Sequence, residues 1–268
     1  MMLLNLNPGF LELSFIGLIV MIFLMTILWI LHIPLKNAGI VDIGWGGGLI
    51  ILSLIYYFLG PGYELRKLLI TLMVIIWGSR LTFHLARRVF SESAEDGRYQ
   101  NMRARWKGNI NIKFLYFFEA QGILNVILSF PFLFVALNKS TEIAFIEWLG
   151  VLIWLTGLIG ETLADIQLRD FKLDPANKGH VCKIKLWSFS RHPNYFFEFL
   201  IWIGYSVTAL SSPFGWIGVL SPLIILYLLL NVTGVPATEE QALKTKGQEY
   251  KNYMETTSKF IPWRRKLK

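Results

Sequence analysis

Five large polar side chains, besides a serine, crowd into one nine-residue stretch, SRHPNYFFE, which runs from Ser190 to Glu198. They are Arg191, His192, Asn194, Tyr195 and Glu198. Pro193 suits the first position of a helix, so the motif predicts a helix start there. The free N–H groups of a helix N-terminus favour anions, and a guanidinium and an imidazole alongside strengthen that positive end. Asn194 and Tyr195 add neutral partners for an amide, a ribose or a phosphate. Glu198 follows one turn further in. Such a set suits the gripping of a polar, anionic group. The chain continues as FLIWIGYSVTAL, apolar enough for lipid, so the grip sits at the mouth of a membrane helix.

Other ionisable residues lie where lipid should exclude them, which makes them functional candidates. Arg80, His84 and Arg88 recur every four residues and share one helix face. That row either holds a phosphate or carboxylate, or snorkels to the cytosolic surface. Asp42 opens VDIGWGGGLI, as a capping acid at a positive helix end or as a proton donor. The glycines Gly44, Gly46, Gly47 and Gly48 permit close helix packing or close ligand approach. With no preceding strand and no acidic ribose partner, they do not form a dinucleotide-binding fingerprint. EDGRYQNMRARW sets Tyr99 and Trp106 among arginines. It is a solvated loop, or a planar-donor set for a nucleotide or lipid headgroup. FEAQG places Gln121 inside an apolar run, where it bonds a neighbouring helix or a substrate carbonyl. Glu161, Asp165, Arg169 and Lys172 recur at three- or four-residue steps and predict a charged helical face.

The elements that hold these residues are membrane helices. Hydrophobic residues make up 54% of the chain and charged residues 16%, against about 25% charged in a soluble domain. With apolar runs this long, the formal net charge of +8 points to a membrane surface or an anionic cofactor rather than nucleic acid. One cysteine, Cys182, allows no internal disulfide, and no metal site is expected. About 20 apolar residues cross a bilayer. Seven runs read as transmembrane helices: 10–31, 41–59, 68–85, 114–137, 143–163, 196–210 and 214–231. Basic residues concentrate at Lys36, in loops 86–113 and 164–195, and in the tail 232–268, which ends with Arg264, Arg265, Lys266 and Lys268. The opposite loops hold only Arg66, Lys67 and Lys139. The positive-inside rule then predicts an N-terminus outside and a C-terminus in the cytosol. The expectation is one all-α transmembrane domain, 1–268, whose cytosolic loops meet any water-soluble cofactor.

LWSFSRHPNYFFEFLIWIGY resembles the signature of the steroid 5α-reductase-like superfamily of membrane reductases, which includes the sterol reductases. VDIGWG, EDGRYQNMRARW, FEAQG, ADIQLRDFK and SRHPNYFFE follow the order of a bacterial branch of that group without assigned function, over roughly residues 35–262. The resemblance implies a helical membrane enzyme that binds NADPH from the cytosolic side and reduces a carbon–carbon double bond in a lipid-like substrate. It assigns to the cofactor Asp165, Gln167, Lys172, Trp187, Arg191, His192, Asn194, Tyr195 and Glu198. Arg88 matches an arginine near the cofactor. The Gln-Glu pair and the tyrosine that serve the steroid enzymes are absent at the matched positions. The acid candidates here are Asp42, His84 and Tyr99, and the substrate candidates are Trp45 and Gln121.

The tail EEQALKTKGQEYKNYMETTSKFIPW is similar to that of the isoprenylcysteine carboxyl methyltransferases, which share RHPxY and use S-adenosylmethionine. That resemblance places Glu239 and Glu240 near the cofactor amine and the substrate. VDIGWG, EDGRY and FEAQG belong with the reductases. The expectation is therefore an NADPH-dependent reductase of a steroid, isoprenoid or enone. An S-adenosylmethionine-dependent methyltransferase of a lipid or isoprenylated substrate is the alternative, and a non-enzymatic membrane scaffold the second. A chain without disulfides or eukaryotic retention signals fits a bacterial inner (cytoplasmic) membrane. Its expected partners are membrane lipids and the lipid-like substrate. The sequence leaves oligomeric state and the choice of NADPH over NADH open.

Overall fold

The computed structural model describes residues 8–91 and 94–263. The cations Arg264, Arg265, Lys266 and Lys268 lie outside the described residues. In chain order the helices are α1 (Phe10–Leu35), α2 (Ile40–Leu59), α3 (Glu64–Ser91), α4 (Gly97–Arg105) and α5 (Ile110–Leu128). They continue as α6 (Phe130–Leu137), α7 (Phe145–Leu173), α8 (Pro193–Ala209), α9 (Leu220–Asn231) and α10 (Val235–Thr256). Among the described residues no strand forms, only an isolated bridge between Ser190 and Ser258. The fold is all-α, as lipid requires of a chain that must satisfy its own backbone groups.

Among the described residues, five helical stretches are long and apolar enough to cross a membrane, or six if α5 and α6 form one span bent by 41°. The chain is thus an integral membrane protein by the length and composition of its helices. Each run expected to be transmembrane falls largely on helix. The run 114–137 is the broken pair α5–α6, with Pro131 in the first turn of α6. The run 196–210 is α8, which has 17 residues. Helix also extends beyond the expected spans. α3 reaches Ser91, and α7 reaches Leu173. Asp165, Gln167 and Lys172 therefore stand on α7 rather than in a loop.

The chain forms two compact units. One comprises the residues up to Glu147 with Thr208–Ser221. In it α2 packs on α3, and α1 packs on both α5 and α2. The glycines of α2 serve this packing: a Cβ on Gly44 would sit 2.1 Å from Leu28 Cδ1. The other unit comprises Trp148–Val207 and the residues from Pro222 onward. There α7 meets α8 closely, and a Cβ on Gly157 would lie 2.8 Å from the Phe197 carbonyl oxygen.

Arg66 and Lys67, expected as loop cations, are buried within α3. Arg66 Nε lies 2.6 Å from Glu147 Oε1, and Nη2 lies 3.1 Å from Oε2. Its other donors meet the carbonyls of Ser140 and Glu142. Arg66 is 1% exposed and Glu147 0%. Lys67 Nζ donates to the carbonyls of Tyr57 (2.9 Å) and Gly60 (3.1 Å). Breaking a buried pair by removing one partner strands the other charge, at roughly 3–5 kcal/mol. Arg66→Met is expected to destabilise the detergent-solubilised chain by that amount in thermal unfolding. The double variant Arg66→Met with Glu147→Leu is expected to recover most of the loss.

Candidate functional site

The polar residues predicted to do chemistry gather in two clusters, one in each unit. The first forms where α2 begins, α3 ends and α4 begins. Asp42 lies in the first turn of α2. Its Oδ2 accepts from Arg88 Nη2 at 3.0 Å and from Arg98 Nη2 at 2.8 Å. Its Oδ1 accepts from the Tyr99 hydroxyl at 2.7 Å. Asp96 caps α4 by accepting from the Arg98 backbone N–H at 2.9 Å, and from Arg98 Nε at 3.0 Å. Glu95 accepts from the Ala38 N–H at 2.6 Å, just ahead of α2, and holds Arg103 Nε at 2.8 Å. The segment 95–103 is thereby stitched to the start of α2.

Burial sets the electrostatics of this cluster. Tyr99 is 1% exposed. Burial first, and then the negative charge of Asp42, push its hydroxyl well above the usual range, so it stays a neutral donor. Burial works to raise Asp96, but the hydrogen bonds and charge of Arg98 outweigh it and hold the carboxyl below its ordinary range. The Arg98 guanidinium also lies over the Tyr99 ring, 5.2 Å from its centroid. The arrangement is an O–H held on a carboxylate whose charge two guanidiniums share.

Three predicted residues, Asp42, Tyr99 and Arg88, therefore converge. His84 does not join them. On α3, Trp77 and Gly78 are buried, whereas Phe83 and His84 are exposed. The imidazole makes no hydrogen bond or ion pair with Asp42, Tyr99 or Arg88 among the described residues. Trp45 is half-buried, its ring edge-on to Trp77 at 6.2 Å and its carbonyl accepting from Asn125 at 3.0 Å. Gln121 is half-buried on α5. Arg98, Asp96 and Glu95 were legible only as loop charges. An Asp-Gly-Arg run is a helix-start signal, and it marks α4.

The second cluster surrounds the RHPNY motif. Arg191 Nε lies 2.8 Å from Glu239 Oε1 on α10. Its Nη1 donates to the carbonyls of Met254 (2.7 Å) and Thr257 (3.1 Å). His192 Nε2 lies 3.2 Å from the same Glu239 oxygen. The Tyr195 ring stacks on His192 at 5.4 Å, and its hydroxyl meets Thr238 Oγ1 at 3.1 Å. This corrects the expectation of an unneutralised positive mouth: the Glu239 carboxylate occupies it, and the motif seats α10. Two further predicted residues fasten the backbone. Gln167 Oε1 accepts from the Leu186 N–H at 3.0 Å, and Trp187 Nε1 donates to the Ala164 carbonyl at 3.0 Å. Both bonds pin residues 185–188 to α7. Lys172 is exposed.

Ligand-facing chemistry remains in this unit. Asn194 Nδ2 donates to Asp165 Oδ1 at 3.3 Å, while its own Oδ1 is buried without a partner. Glu198 Oε1 accepts from Trp202 Nε1 at 2.9 Å. Arg191 also lines a cavity of about 380 Å³, with Thr257, Ser258, Lys259 and Trp263 among its other walls. Thr257 Oγ1 is buried there and has no hydrogen-bond partner. Arginine, lysine and hydroxyl donors beside an exposed indole fit a phosphorylated, aromatic ligand.

Such a protein is an integral membrane protein of helices, with buried polar clusters at helix ends. More specifically, the chain belongs to the family described as a protein of unknown function, DUF1295, whose match covers residues 28–257. It is similar to an uncharacterised protein of Schizosaccharomyces pombe, 26% identical over 280 residues, covering 92% of this chain and 79% of the yeast protein. No solved structure matches.

The second cluster predicts a pH dependence. Burial lowers His192 below 6.5, outweighing the opposing pull of Glu239. Burial works to raise Glu239, but the His192 hydrogen bond and the Arg191 charge hold it below 4.5. A neutral imidazole thus donates to an ionised carboxylate. Below 6.5 the unfolded chain binds a proton that the folded chain resists, so docking of α10 weakens. The Glu239 contribution is complete above about 4.5 and disappears as pH falls through its lower folded value. The protection of the amides at residues 254–257, corrected for the intrinsic pH dependence of exchange, is expected to be flat above neutral pH and to fall on acidification. Glu239→Gln is expected to raise exchange already at neutral pH.

Proposed function

We propose that the chain is a membrane-embedded reductase that uses NADPH to saturate a carbon–carbon double bond in a lipid-like steroid, isoprenoid or enone. The observation that carries this reading is the convergence of Asp42, Tyr99 and Arg88, expected separately as acid and cofactor residues, within hydrogen-bond reach of one another. NADPH supplies a hydride when bound. Lys259 and Thr257, on the wall of the cavity beside Arg191, offer the donors for its phosphates, and Asn194 Oδ1 offers an acceptor for an amide. Tyr99 acts as the acid. On substrate binding its single O–H swings from Asp42 Oδ1 to the substrate carbonyl, and it gives up its proton as hydride addition to the double bond builds negative charge there. Asp42 accepts from three donors, so its oxygens are committed and it orients the phenol. Arg88 and Arg98 hold that carboxylate in place. Reprotonation comes from cytosolic water. Trp45 and Gln121 are assigned to the substrate.

The proposal includes seven crossings, with the N-terminus outside and the C-terminus in the cytosol of a bacterial inner membrane. The basic residues of loops 86–113 and 164–195 support that orientation. Burial of Arg66 and Lys67 adds to it, because it removes two free cations from the opposite side.

A methyltransferase using S-adenosylmethionine is the second reading, favoured by Glu239 being built onto the RHP motif. Against it, Glu239 is paired with Arg191 and accepts from His192, and Glu240 pairs with Lys244 at 2.6 Å.

A ligand at 100 times its Kd stabilises the fold by about 2.7 kcal/mol. NADPH is expected to raise the melting temperature of the purified chain, and S-adenosylmethionine to leave it unchanged. The reverse result establishes the methyltransferase, and no shift with either favours a scaffold. Tyr99→Phe is expected to keep the NADPH shift and lower turnover by about 10²–10⁴-fold.

A further inference from the structure

The first unit holds a cavity of about 300 Å³ where α1 ends, which the proposed reaction does not use. His32, Ile33, Lys36, Glu95, Arg103 and Asn111 line it. That volume far exceeds the roughly 30 Å³ of a single water.

His32 is fully buried, with the rings of Phe114 and Phe118 each 5.3 Å from its own. Its Nδ1 lies against the Trp29 carbonyl. A carbonyl oxygen only accepts, so Nδ1 is the donor, and in the neutral ring Nε2 is left as an acceptor. Nε2 is buried and has no partner. A buried acceptor in that state calls for an O–H or N–H from outside the chain.

The charges on the same wall do not balance. Arg103 is spent on Glu95, through Nε at 2.8 Å and Nη2 at 3.1 Å, with its guanidinium over the Phe114 ring at 4.6 Å. Lys36 is exposed and has no ion pair among the described residues. One positive charge remains, which matches a singly charged phosphodiester. An amine-bearing headgroup would cancel its own phosphate and leave Lys36 unmet. Beside the cavity, Ile30, Leu31, Ile33 and Leu35 are all exposed along the last turns of α1. They form an apolar wall for acyl chains. The Trp29 indole donates to the Asn111 carbonyl at 2.7 Å. This ties α1 to α5 at the rim, in the interfacial position tryptophan favours.

We propose that this cavity binds the headgroup of an anionic phospholipid, a phosphodiester bearing a polyol, with the phosphate on Lys36 and a hydroxyl donated to His32 Nε2. The shared chemistry is a polyol phosphate, and membrane lipid is its source.

Native mass spectrometry and thermal unfolding of the full chain in detergent test the assignment, with phosphatidylglycerol, phosphatidylcholine and soluble glycerol 1-phosphate as probes. Phosphatidylglycerol is expected to stay bound and raise the melting temperature, and the other two are expected to do neither. Lys36 is exposed, so Lys36→Glu leaves packing intact. It is expected to weaken phosphatidylglycerol binding about tenfold or more, the size of one charge-assisted contact. Lys113→Glu makes the same charge change on an exposed residue of α5 outside the lining, and it is expected to leave binding unchanged. Three outcomes overturn the proposal. Phosphatidylcholine binding equally removes the charge requirement. Glycerol 1-phosphate binding equally assigns the cavity to a soluble ligand. Equal loss in Lys113→Glu and Lys36→Glu reduces the effect to a general surface field.

Discussion

A charge taken out of water must be met by an opposite charge, and this apolar chain is organised around such meetings. Desolvating an ion costs several kcal/mol, and only close pairing with further hydrogen bonds repays it. Each meeting joins segments far apart in sequence. Arg66 and Glu147 bring the start of α3 to the start of α7. Asp42 gathers Arg88 from the end of α3 and Arg98 from α4. Glu239 brings α10 onto Arg191 and His192. Apolar packing between helices in lipid is nearly featureless. Paired charges and close-approach glycines therefore fix which helix ends meet.

The same constraint separates the roles of neighbouring acids. Asp42 accepts from two guanidiniums and a phenol, so its lone pairs are committed. Tyr99 is buried against that carboxylate and keeps its proton. In the proposed reaction the tyrosine is the member of the pair that gives its proton to the substrate. In the other unit, Glu239 is ionised and likewise committed, while Asn194 keeps a buried oxygen unmet. Such unmet atoms, more than the paired ones, mark where a ligand completes the hydrogen bonding.

Much of the fold was legible because hydropathy alone fixes helices in lipid. The expected spans fall largely on helix, and the three- and four-residue steps of Glu161, Asp165, Arg169 and Lys172 marked a charged helical face, although the expected fifth span stopped at 163 and α7 runs on to Leu173. The glycines of VDIGWGGG left packing and ligand approach open, and Leu28 against Gly44 decides for packing. Partner choice was not legible. Local sequence gives no sign that Arg66 would find Glu147, 81 residues away, or that Glu239 would enter the RHP mouth. His84 shows the limit of counting by fours. His84 is exposed on α3, whereas the longer Arg88 side chain, one turn further on, reaches Asp42.

The most direct measurement follows label in membranes that contain the full chain, an enone lipid, C4-deuterated NADPH and methyl-labelled S-adenosylmethionine. Hydride transfer assisted by Tyr99 predicts deuterium on the saturated carbon β to the carbonyl with the natural chain, and its near absence with Tyr99→Phe. Deuterium remaining in the nicotinamide while the labelled methyl group enters the lipid would contradict it.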